Sequence, residues 1–109
     1  MTQQELYQAL KSLGMPVAYS HFVETADNSV PNPPYITYLA TYSSDFQADN
    51  KNYQKVRNFQ VELYTTKKDL IAEKSLEDLL DKSELPYTLS ETYLDTESMF
   101  QRIYEIQLI

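Results

Sequence analysis

Apolar and polar positions alternate with two different periods along the chain, and the switches between them mark its elements. Leu6, Ala9, Leu10 and Leu13 recur at three- and four-residue spacing, which predicts a helix with one apolar stripe lying on a sheet. Thr2 with Glu5 forms a capping-box pattern at its start. Gly14, the one glycine of the chain, falls where a left-handed C-terminal cap belongs, and Pro16 blocks continuation. Val17 to Val23 alternates with the period of a short strand. Asp27 to Ser29 and Pro31 to Pro34 then break regular structure, and Pro33 and Pro34 deliver extended chain into Tyr35.

From Tyr35 onward the pattern reads hairpin, helix, hairpin. In Lys55–Thr65, Phe59, Val61 and Leu63 share one face while Asn58, Gln60 and Glu62 take the other, as in a strand with one buried and one wet face. Tyr35–Ser43 has no plainly polar face: Ile36, Tyr38, Ala40 and Tyr42 oppose Tyr35, Thr37, Leu39 and Thr41. Such a strand is either central or covered by something outside the domain. The connection from Ser43 to Asn52 is too long for a tight turn, and with Phe46 it reads as a projecting polar arm. A helix follows over about Lys67–Lys82, opened by a box-like Thr66 to Asp69 and burying Ala72, Leu76, Leu79 and Leu80. Glu73, Lys74, Glu77, Asp78 and Asp81 are expected on its solvated side. The last hairpin pairs Tyr87–Leu94 with Met99–Ile109, joined at Asp95 to Ser98. Arg102 falls among Phe100, Tyr104, Ile106 and Leu108, which calls for either a bulge or a carboxylate partner at the sheet's margin.

The elements define one α+β domain over residues 1–109: a mixed or antiparallel sheet of four to five strands with two helices packed on one face. The order is helix–hairpin–helix–hairpin.

Charge and composition narrow the function by subtraction. Sixteen acids against nine bases give a net charge of −7, opposing the phosphate attraction that sequence-reading nucleic-acid binders depend on. The chain has no cysteine, so disulfides and thiolate metal sites are excluded. The first residues read as neither signal peptide nor membrane anchor, and the expected setting is cytoplasmic. His21 is the only histidine and lacks an accompanying nucleophile, while one glycine cannot build a phosphate-cradling loop. Asp45, Asp49, Glu62 and Glu91 would have to converge to make a nuclease-like carboxylate set, and no spacing rule brings them together. The expectation is a protein without catalytic, metal or cofactor site. Its interface candidates are Tyr35, Tyr38 and Tyr42, since tyrosine joins a large apolar ring to a polar tip, and the arm with Phe46, Asp49 and Asn50.

Several runs resemble one family. Pro34 to Tyr38, Asp45 with Ala48 to Asn50, Val61 to Thr65, Lys67 to Asp69, Glu91 to Tyr93, and Met99 to Gln101 with Ile103 to Ile106 resemble small proteins of the head–tail joining region. These belong to long-tailed phages and prophages of Gram-positive bacteria, and look like tail-terminator or tail-completion proteins. The resemblance covers about Pro33 to Ile109. It implies a ring, six-fold in the virion, that ends the tail tube and meets the head connector, with tail-tube and connector proteins as partners. It also implies assembly in the bacterial cytoplasm and no membrane partner. The alternative from another class is a non-enzymatic adaptor that grips a peptide through its sheet edge.

Overall fold

The computed structural model describes the chain apart from Asn28, Asp49, Asn50 and Ile109, with backbone alone over residues 42–55. It is an α+β fold: a five-stranded mixed sheet and two helices, in the order α1 (Gln3–Lys11), β1 (Val17–Tyr19), β2 (Tyr35–Ala48), β3 (Lys51–Thr65), α2 (Leu70–Lys82), β4 (Thr88–Leu94), β5 (Met99–Leu108). Across the sheet the strands run β1-β2-β3-β5-β4, with β1 parallel to β2 and every other pairing antiparallel. The expected order therefore gains a strand, β1, between the first helix and the first hairpin.

Local signals explain most boundaries. Thr2 and Glu5 make the reciprocal cap of α1, with Thr2 N–H donating to Glu5 Oε1 at 2.8 Å and Glu5 N–H to Thr2 Oγ1 at 3.1 Å. Gly14 takes a φ of 85°, the left-handed conformation its position requires. β1 is shorter than the Val17–Val23 run suggests, because Ser20 turns to a φ of 67° and leaves the extended region. The start of α2 also differs from expectation. Asp69 is its N-cap, accepting from Ala72 N–H at 3.0 Å, so Thr66, Lys67 and Lys68 precede the helix.

One face of the sheet carries the core. Leu6 and Leu10 of α1 and Leu76 and Leu80 of α2 pack with Ile36, Tyr38, Phe59, Val61, Leu63, Tyr104, Ile106 and Leu108. The registered rows Tyr38–Val61–Tyr104 and Ile36–Leu63–Arg102 lie across the sheet on this face. The second face is not bare. Residues between β1 and β2 cross over it, as a parallel connection demands, and Phe22 meets Tyr35 edge-on with ring centroids 5.0 Å apart. This resolves the two-sided character of Tyr35–Ser43: β2 lies inside the sheet, and the chain itself covers both faces at Tyr35 to Tyr38.

The largest departure concerns the segment read as a polar loop. β2 and β3 continue past the sheet as a hairpin arm, registered from Ser43 with Arg57 to Ala48 with Lys51. The polar composition of residues 43–52, broken only by Phe46 and Ala48, carries no strand period. β1 ends its pairing at Tyr38 and β5 begins its own at Arg57, so among the described residues the pairs from Ser44–Val56 to Ala48–Lys51 have no third strand. Those rungs extend about 15 Å at the usual strand rise. The radius of gyration, 15.3 Å, exceeds the about 13 Å of a compact domain of this length.

Candidate protein interface

The arm is the first candidate surface. A register shift between Ala40 and Ser43 separates it from the sheet, and a second one lies between Phe46 and Gln47. Such irregularities bend a strand and re-aim the residues beyond the bend. Phe46 is paired in register with Gln54 on the backbone. The side chains of Tyr42 and Phe46, and Asp49 and Asn50 altogether, lie outside the described residues.

Tyr35 and Tyr38 sit elsewhere than a contact surface would need. They are 9% and 6% exposed, and their rings are engaged within the chain. Tyr38 meets Tyr19 edge-on at 5.1 Å and Tyr7 at 6.1 Å, while Tyr35 meets Tyr64 at 5.1 Å. Burial raises the phenol pKa of both. Their alternation carried the signature of packing as readily as that of an interface.

The edge strand β4 is the second candidate surface. It is exposed from Thr88 to Tyr93, with Leu89 and Tyr93 40% and 48% open. Leu70 and Ile71, on the first turn of α2, are also uncovered. Lys68, just before that turn, donates to Glu91 of β4 at 2.8 Å and pairs with Glu73 at the same distance.

This pairing opens onto a charged cluster that the sequence showed only in part. Arg102 projects toward α2 and reaches three carboxylates, at 2.9 Å from Glu91, 3.1 Å from Glu77 and 3.5 Å from Glu73. The β3–β5 register runs without interruption past it, so the carboxylate partner, rather than a bulge, accommodates this residue. Glu73, expected on the solvated side, is buried because it lies between Lys68 and Arg102. Burial opposes the charge of Arg102, but bonds to Tyr104, Glu91 and Glu77 hold its pKa above the ordinary value. Lys68 and Arg102 in turn lower that of Glu91, against its desolvation. The signal for this cluster was the lone base in an apolar register.

A second polar network lies on the opposite face. Thr37 and Tyr64 both donate to Glu62 Oε1, at 3.0 and 2.8 Å, and Gln101 donates to the Tyr64 hydroxyl at 2.9 Å. Burial and then Glu62 push the Tyr64 phenol up to about 12. Glu62 and Glu91 thus face opposite sides of the sheet, so these two of the four carboxylates considered as a nuclease set do not meet, while Asp49 and the side chain of Asp45 lie outside the described residues. His21 is exposed and hydrogen-bonded to Ser20 Oγ at 3.1 Å. Among the described residues no group of histidines and acids is arranged to hold a metal ion, and no helix is long and apolar enough to cross a membrane.

No protein-family model matches the chain, and no curated protein is significantly similar to it.

Proposed function

We propose that this protein is a structural subunit of the head–tail joining region of a phage or prophage, forming a ring that ends the tail tube and meets the head connector. The observation that carries the reading is the hairpin arm, whose rungs beyond Ser43 and Arg57 pair, among the described residues, only with each other. Two strands that leave their sheet gain little from their own domain and a great deal from a neighbour that covers them. Head-to-tail rings need two different patches per subunit, and arm and body provide them. The resemblance of Val61 to Thr65 and Met99 to Gln101 to terminator-like proteins agrees with the same reading. A net charge of −7 suits a lumen through which DNA passes without capture.

The test replaces Tyr42 and Phe46 with alanine and follows size-exclusion profile and tail capping. Loss of large assemblies with the fold retained supports the reading, and unchanged capping refutes the arm's role.

The open edge of β4 favours a second reading, an adaptor that adds a partner's extended peptide to its sheet. In that case the protein stays monomeric or dimeric at all concentrations, and charge substitutions on β4 abolish peptide capture.

A further inference from the structure

Beside the C-terminal half of β5 the sheet has a gap. β4 pairs with β5 from Met99 to Glu105 only, so Ile106, Gln107 and Leu108 have a strand partner on the β3 side alone. The cause is local. If the register continued, Pro86 would face Gln107, and proline has no N–H to give a ladder. Where β4 is missing there is a groove of about 700 Å³, with Phe59 and Ile106 on its lining, Leu85 and Tyr87 along it, and Glu84 and Glu105 at its rim. Both glutamates are exposed. The groove thus offers a short strand edge and negative charge in one place, on a lining of mixed polar and apolar residues.

The arm has the complementary set. Its β3 half contains Lys51, Lys55 and Arg57, three of the nine bases of a strongly acidic chain, against Asp45 in its β2 half. That half also has a strand edge that, among the described residues, no third strand occupies beyond Arg57. We propose that the groove beside Ile106 to Leu108 receives the hairpin arm of a second copy, its β3 half adding to the sheet in line with β4. Glu84 and Glu105 then meet the arm's basic residues. The inference rests on the ring reading above and names the receiving site within it. Because arm and groove are different patches, each copy gives an arm to one neighbour and takes one from the other, as a closed ring requires.

Since the chain has no cysteine, engineered pairs report docking cleanly. Lys55→Cys on the arm is combined with Thr88→Cys at the groove, or with Lys74→Cys on the exposed side of α2 as control. Oxidation of the protein is followed on non-reducing gels. The groove pair should give roughly tenfold more covalent oligomer than the control, because docking raises the effective concentration. Equal yields from both pairs, or none from the groove pair while the parent protein still forms large assemblies, overturn the groove and leave the ring reading standing. A parent protein that stays monomeric at every concentration and with tail-tube protein present overturns the ring reading, and the groove with it.

Discussion

Arg102 and Glu77 are joined twice: directly, Nη2 to Oε2 at 3.1 Å, and through the Tyr104 hydroxyl, which accepts from Arg102 Nε at 2.8 Å and donates to the same Glu77 oxygen at 2.7 Å. The link ties β5, which lies between β3 and the edge strand β4, to the middle of α2. It lies beside the apolar core that includes Leu76, Leu80 and Tyr104. A guanidinium suits the place, since its fork addresses several carboxylates at once.

Replacing Arg102 by methionine keeps much of the side chain's bulk and removes its charge. Glu73, whose side chain is only 9% exposed, then loses its bond to Arg102, as do Glu77 and Glu91. Urea unfolding should show a loss of about 1.5–3 kcal/mol, the range of a hydrogen bond to a charged group, because Lys68 still pairs with Glu73 and Glu91. Adding Glu73→Gln to that variant should recover part of it. A loss as small as that of an exposed pair would mean the cluster is solvated.

Acid should weaken the same contact. Lys68 and Arg102 hold the Glu91 carboxyl below its ordinary value, so this group contributes stability above pH 4.5. That contribution is lost as pH falls through the lowered value, when the folded protein too must take up the proton. In Glu91→Gln the protein should be less stable at neutral pH and should show a shallower fall below pH 4.5. An acid limb of unchanged slope would assign the transition to other carboxylates.

At the alkaline end Tyr64 gives the opposite sign. Unfolded, its phenol ionises near the ordinary value of 10.0; folded, burial and Glu62 hold the proton to about 12. The unfolded chain therefore binds fewer protons between those values, and stability falls as pH rises. Tyrosinate absorbance should show a phenol titrating late, and Glu62→Gln should bring it earlier. At neutral pH, Tyr64→Phe should cost about 1–3 kcal/mol, since Glu62 loses a donor while remaining buried.

Much of the architecture was legible where short-range rules act alone. The Thr2–Glu5 cap, the Gly14 terminator, the Leu76 and Leu80 stripe and the Phe59–Leu63 alternation each follow from a local period or a single backbone preference. β1 was harder, because a three-residue strand paired in parallel depends on a partner distant in sequence. Glu73 was misplaced because helical periodicity assigns a side but not what crosses to meet it, here Arg102 from β5. The arm was missed for a related reason. A strand pair outside the core buries no apolar face, so Ser43 to Asn52 shows polar composition without the alternation that marks a half-buried strand. Tyr35 and Tyr38 illustrate the converse, since a tyrosine-rich face reads alike whether its neighbour is Phe22 of the same chain or a separate molecule. The groove at Glu84 and Glu105 left only Pro86 as a signal, since proline cannot continue β4 beside Gln107.

The central claim is that this chain works by joining copies of itself through the arm. Sedimentation across a wide concentration range measures it most directly, comparing the full protein with one in which residues 44–56 are replaced by a tight turn. The account predicts large closed assemblies for the full protein and monomers, still folded, for the shortened one. Identical masses for the two would contradict it.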